Sequence, residues 1–310
     1  MITVAGFNTA IDRLIQLDTL VPGQVHRAHA ELVYPGGKGV HVAQTIAALG
    51  ERVQLVGLVD AAHRNLMGRR MSERGVLFHG VEVTGELRHC MALRERDGRI
   101  TEVLGQGPQL SPSECATLLR DVQRCVDESE LLILSGSLPR GFAIDTYAAL
   151  VRQAHAGGRR CLVDASGELL RQALSARPFL VKPNRDEAEA LLGRKVDGVA
   201  AAVDALREIA VHGVAMPVLS LGAAGAVGLD GEGAWHATVE LEQVCNAVGS
   251  GDCFLAGMAV ALRRGEPMRD ALRLAVACGA ANAMEMETGY VNPARVEALL
   301  GHVRVREWAH

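Results

Sequence analysis

The hydrophobic and polar positions of this chain alternate between two periods. Short runs rich in β-branched and other apolar residues, at 2–7, 53–59, 131–135, 161–164, 179–182 and 217–221, predict strands. Between them lie longer stretches with apolar residues three and four apart. These predict helices near 39–49, 64–74, 111–127, 143–156, 185–192, 197–212, 250–264, 267–285 and 293–300. Ser111-Pro112 is a clear helix start: a cap residue stands before a proline, and Glu114 follows in the first turn, where negative charge suits the helix dipole. The βαβα rhythm over most of the chain predicts an α/β fold, with a parallel sheet covered by helices on both faces.

Two stretches break that rhythm. Residues 11–35 and 86–104 lack helical periodicity and carry the turn signals Pro22-Gly23 and Asp97-Gly98. Residues 92–103 read as a hairpin about Asp97-Gly98. The two pieces are expected to form one small sheet inserted into the larger α/β unit; the alternative is a pair of ordinary long loops, which are uncommon at this length. No repeat, low-complexity tract or flexible linker divides the chain, so a single domain over 1–310 is expected.

Composition adds exclusions. The chain has 310 residues, 49% of them hydrophobic, with a net charge of −4. It offers no electrostatic footprint for nucleic acid or an anionic membrane, although a local pocket can still hold an anion. The opening Met1-Ile2-Thr3-Val4-Ala5-Gly6 has no basic stretch, and no apolar run reaches membrane-spanning length. The seven cysteines are scattered without a C-x-x-C pair, which argues against zinc or a disulfide framework. A cytoplasmic protein with reduced thiols is expected.

Four stretches could carry chemistry. In Asn246-Ala247-Val248-Gly249-Ser250-Gly251-Asp252, glycines precede a helix, so free N–H groups and the helix dipole favour an anion. A carboxylate there repels phosphate, and makes sense if Asp252 takes a proton from a hydroxyl beside it; the bland reading is a plain loop-to-helix transition. Pro35-Gly36-Gly37-Lys38-Gly39 opens another helix with a cation but is not a Walker A loop; alone it is equally a tight turn. Asn8-Thr9-Ala10-Ile11-Asp12 lies just past the first strand, where α/β ligand sites form, and Asp12 could hold sugar hydroxyls or merely start a turn. In Lys182-Pro183-Asn184-Arg185-Asp186-Glu187, Glu187 could hold a metal-bound water, and Asn184 with Glu187 also resembles a capping pair; both can hold together. The glycines of 222–228 are spaced G-x-x-G-x-x-G and lead into a turn and a strand, which excludes a dinucleotide loop.

Taken in order, these motifs resemble the ribokinase-like (PfkB) carbohydrate kinases. The residues carrying the resemblance are 8–12, 23–27, 36–39 with Val42-Ala43, Ser135-Gly136-Ser137-Leu138-Pro139, Asp164-Ala165-Ser166-Gly167, 182–187, Ser220-Leu221-Gly222, 247–252 and Ala280-Ala281-Asn282. The match covers nearly the whole chain and is closest to the branch containing 1-phosphofructokinase and tagatose-6-phosphate kinase. The resemblance implies a three-layer α/β/α domain with a small β-sheet lid that often mediates a homodimer. It implies ATP as donor, Mg²⁺ as helper and a hexose phosphate, of the fructose 1-phosphate or tagatose 6-phosphate type, as acceptor. Asp252 would be the base, with the amides of Gly249, Ser250 and Gly251 as the anion hole. Asp12, Gly37 and His41 would line the sugar pocket, and Lys38, Arg88 and Arg27 would be the cations for the sugar's own phosphate. Asn184, Ser220, Gly222 and Asn282 would lie along the nucleotide, with Glu187 near Mg²⁺.

Three departures fall on the sugar side. Thr9 stands where the family has Pro, and His41 where it has Asn. Residues 101–108 keep the lid's Thr-Glu but place Leu104 and Gly105 where Asn and Glu are usual. A kinase of an unphosphorylated sugar or nucleoside is thus the competing expectation; from another class, so is a binding protein that keeps the fold without the chemistry.

Overall fold

The computed structural model describes residues 1–308. Its centre is a six-stranded sheet in the order Leu180–Val181, Arg160–Asp164, Leu131–Ser135, Ile2–Gly6, Val53–Val59, Leu77–Glu82, parallel throughout. The expected α/β class is the one observed. Ile2–Gly6 lies mid-sheet; the chain first grows outward on one side and later, from Leu131–Ser135, on the other. Such a reversal leaves a crevice outside the carboxyl ends of the strands.

Helices cover both faces, and the first strand shows why. Thr3 donates its hydroxyl to the Cys125 carbonyl in the helix Pro112–Asp127 (3.0 Å). Gly6 points to the opposite face, since strand side chains alternate. There it meets Gly39 of the helix Lys38–Ala48 so closely that a Cβ on Gly39 would lie 2.3 Å from the Gly6 Cα. The helices Ser250–Arg263 and Met268–Ala283 join Lys38–Ala48 in that layer.

A second sheet, antiparallel, runs Val218–Ser220, Ala226–Leu229, Ala234–Thr238, Arg304–Glu307. It continues the parallel sheet's edge through bonds from Met216 N to Phe179 O and from Ser220 N to Pro183 O. Residues 222–224 form a 3₁₀ turn into a hairpin, in keeping with the rejected dinucleotide loop.

The third sheet is built from the two irregular stretches, in the order Ala30–Gly36, Ala10–Gln16, Arg88–Arg94, Ile100–Leu104. Its central pair is parallel and its outer pairs are antiparallel, and Asp12 lies opposite Tyr34 and Cys90. Among the described residues, no helix is long and apolar enough to cross a membrane.

Candidate active site

The motif loops converge at the carboxyl ends of the parallel strands. Asn8, just past Ile2–Gly6, donates to the Ser137 hydroxyl just past Leu131–Ser135 (2.9 Å), bridging the crevice. The strand Ala30–Gly36 runs through Gly37 directly into the helix Lys38–Ala48. A Cβ on Gly36 would sit 2.0 Å from Asp12 Cγ, so only glycine leaves room for that carboxylate.

Asp12 is joined to Asp252 through one side chain. His41 Nε2 lies 3.1 Å from Asp12 Oδ2, and its Nδ1 lies 2.8 Å from Asp252 Oδ2. The ring is 4% exposed. Burial alone favours a neutral ring, but the hydrogen bonds and charges of Asp12 and Asp252 outweigh it and raise His41 from 6.5 to about 10. The sequence placed His41 along the sugar; in the structure both its nitrogens lie against carboxylates. Asp12 keeps Oδ1, which is buried and has no hydrogen-bond partner. An orphan acceptor of this kind calls for a ligand donor.

Asp252 stands in the first turn of the helix Ser250–Arg263, entered through Gly249 at φ 83°. Side chains rarely adopt this left-handed conformation, and a Cβ there would also lie 2.6 Å from Gly289 N. The N–H groups of Gly249 and Gly251 have no partner among the described residues, whereas that of Ser250 donates to Ala247 O (3.2 Å). The anion hole therefore offers two amides where the sequence suggested three. Asn282 is fully buried, and its amide donates to Val248 O (2.9 Å) and Ser250 Oγ (3.0 Å). It braces this loop through its amide, and its Oδ1 has no hydrogen-bond partner.

A second cluster faces the same turn. Lys38 Nζ donates to both oxygens of Asp164 (3.3 and 3.4 Å) and lies 3.9 Å from Glu187 Oε1. Lys182 Nζ lies 3.3 Å from Asp164 Oδ1, and a Cβ on Gly251 would come within 3.5 Å of it. Burial would push the Asp164 carboxyl up, but Lys182 and Lys38 hold it below the ordinary carboxylate range. Burial would lower Lys38, and the carboxylates of Asp164, Asp252 and Glu187 more than reverse that. Asn184 and Glu187 form a complete capping box: Asn184 Oδ1 accepts from Glu187 N (2.8 Å), and Glu187 Oε2 accepts from Asn184 N (2.9 Å). Glu187 Oε1 stays clear of the cap. That oxygen suits Mg²⁺, an ion that takes few protein carboxylates and keeps waters or phosphate oxygens, whereas the oxygens of the fully buried Asp164 are held by Lys38 and Lys182.

Ser220 is bridged to Asn184, and Gly222 opens the next turn at φ 61°, so the structure brings these three together. Arg88 donates from Nε to the Asn8 carbonyl (3.0 Å), on the opposite side of Asp12 from Tyr34. The expected grouping of Lys38, Arg88 and Arg27 is not observed: Lys38 turns to Asp164 and Glu187, and Arg27 is exposed in the loop before the strand Ala30–Gly36, touching no site residue among those described. Asp164 and Lys182 are site residues to which the sequence motifs assign no role. Their signal was position, since each sits at the carboxyl end of a predicted parallel strand.

The arrangement sets two open amides and two ammonium groups where negative charge can rest, with a carboxylate and an orphan acceptor beside them. Such a site can bind a phosphoryl group and take a proton from a neighbouring hydroxyl. Residues 5–295 match the family model described as pfkB family carbohydrate kinase. Phosphofructokinase-2 from Escherichia coli, solved with substrates and products, is 27% identical with a TM-score of 0.89, over 97% of this chain and 98% of that one. It has also been solved in complex with fructose-6-phosphate. A possible 1-phosphofructokinase from Thermotoga maritima (22% identity, TM-score 0.88, 99% of both chains) and a ribokinase from Thermotoga maritima (20%, 0.78, 97% and 99%) share the fold.

Proposed function

Because the chain belongs to the pfkB family of carbohydrate kinases, we propose that it transfers the terminal phosphoryl group of ATP to a hydroxyl of a hexose phosphate, of the fructose 1-phosphate or tagatose 6-phosphate type. One observation carries the reading: Asp252 and the open amides of Gly249 and Gly251 share the first turn of one helix. The acceptor hydroxyl lies between Asp252 and the phosphorus, and Asp252 removes its proton as the bond to the leaving oxygen weakens. The two amides, with Lys38 and Lys182, offset charge on the moving group, and such preorganised donors are usually the largest catalytic contribution. Mg²⁺ near Glu187 would neutralise phosphate charge when bound. Asp12 Oδ1 accepts from sugar hydroxyls, and Arg88 holds the sugar's own phosphate. Asn184, Ser220 and Gly222 line the nucleotide. The small sheet roofs the sugar and limits water, and its exposed Val33 and Val103, which share the face opposite to Asp12, suit pairing with a second copy in a dimer.

The test is a pair of variants assayed for ADP release over phosphorylated and neutral sugars. Asp252→Asn should lower turnover by roughly 10²–10⁴-fold while ATP still binds. Arg88→Ala should weaken a phosphosugar far more than a neutral one. Wild-type turnover in the first, or equal losses in the second, refutes the corresponding assignment.

A further inference from the structure

His41 occupies a position no ordinary core histidine needs. Both ring nitrogens lie within hydrogen-bond distance of a carboxylate oxygen, at 2.8 Å and 3.1 Å. A neutral imidazole has one donor and one acceptor, so it would aim a lone pair at one of those oxygens; only the doubly protonated ring donates to both. The ring is also pinned. Gly289 lies flat against it, with room for no Cβ, and the Gly289 carbonyl accepts from Gln44 Nε2 (2.6 Å). The neighbouring Thr288 is tied to Tyr34 and Asn246, and Glu287 to Arg70 and Arg74.

We propose that His41 is a positioning residue for phosphoryl transfer, a buried cationic bridge that sets the base Asp252 and the sugar anchor Asp12 in one fixed geometry. This rests on the reading of Asp252 as base. The surrounding charge agrees. Asp12 faces the ring from the small sheet and Asp252 from the helix Ser250–Arg263. Glu102 of the strand Ile100–Leu104 interacts with all three, and Lys38, on the ring's own helix, interacts with Asp252. Tyr34 and Cys90 flank Asp12 on the neighbouring strands, Glu287 interacts with Tyr34, Arg88 with Cys90 and Cys253 with Asp252. Carboxylates outnumber cations, so removing the bridge leaves Asp12 and Asp252 as buried like charges, and like charges favour protonation of one of them. A neutral asparagine cannot offset them. The bridge thus links the sugar's anchor to proton removal, and its loss should act on turnover through the base.

His41→Asn should displace the acid limb of kcat upward by about one pH unit, lowering kcat by up to about 10-fold on that limb so that the deficit shrinks in alkali, while KM for ATP changes less than about two-fold. A folded variant with wild-type kcat and an unmoved acid limb overturns the proposal. A second measurement needs neither folding of the variant nor activity. In ¹⁵N–¹H spectra of the wild-type protein, the His41 ring should carry protons on both nitrogens at about pH 8, where an ordinary histidine is neutral; a singly protonated ring there overturns it. Asp252→Asn separates the two readings. Turnover retained in that variant removes the base assignment, whereas the ring spectrum and the acid limb of His41→Asn judge the bridge.

Discussion

Replacing Gly289 with alanine moves the imidazole of His41 without altering any group that exchanges a proton. The added Cβ would stand 2.1 Å from His41 Cγ and 2.2 Å from Cδ2. Non-bonded carbons need about 3.5–4.0 Å, so ring or backbone must yield by about 1.5 Å. A shift of that size takes the 2.8 and 3.1 Å bonds to Asp252 and Asp12 beyond hydrogen-bond range. Alanine also inherits φ 67°, a left-handed conformation costing roughly 1–2 kcal/mol, and overpacking adds roughly 1–3. The variant should therefore lose about 2–5 kcal/mol of stability. Since a misplacement of about 1 Å can cost about 10²-fold in rate, kcat should fall by that order. Urea unfolding reads the first effect and ADP release the second. Gly68→Ala is the control: it lies in the helix Arg64–Glu73 with nothing within 4 Å of its Cβ, and should be neutral or stabilising. If Gly289→Ala keeps turnover within about two-fold of wild type, the steric argument for the pinned ring is refuted.

Stability should also depend on pH in two windows. His41 is raised on folding, so its contribution is full below about 6.5 and lost as pH climbs through about 10. Asp164 is lowered, so its contribution is present above about 3.8 and lost as pH falls below that. Urea midpoints should drop between pH 7 and pH 10 more steeply in wild type than in His41→Asn, and equal slopes would contradict this. Val103→Glu, on the exposed face of the small sheet opposite to Asp12, should shift sedimentation from dimer to monomer; an unchanged sedimentation coefficient argues against pairing through this sheet.

The sequence located the motif loops because their glycines and terminal carboxylates are local signals. Parallel strands buried on both faces read clearly as apolar runs, as in Val53–Val59. Leu77–Glu82 did not: it is an edge strand with Leu77 exposed, a glycine (Gly80) in mid-strand and no clean alternation. Arg304–Glu307 is equally mute, three of its four residues being charged. At the site, what escaped was orientation. Lys38 has four rotatable bonds, and which carboxylate claims its ammonium depends on where Asp164 arrives from another strand. The Ser250 amide is claimed by Ala247, and Asn282 reaches its partners from a different helix, so neither bond is written in residue type. His41 was legible as a departure, but the carboxylates flanking it are 29 and 211 residues away along the chain.

The backbone contact between Gly6 and Gly39 limits how this pocket can be re-tailored. Neither position admits even a methyl group, and Gly36 is closed to one by Asp12, so the backbone at these three positions takes no side chain. On the proposed function, reshaping toward larger or smaller acceptors falls instead to the small sheet, to side chains on the strands Arg88–Arg94 and Ile100–Leu104.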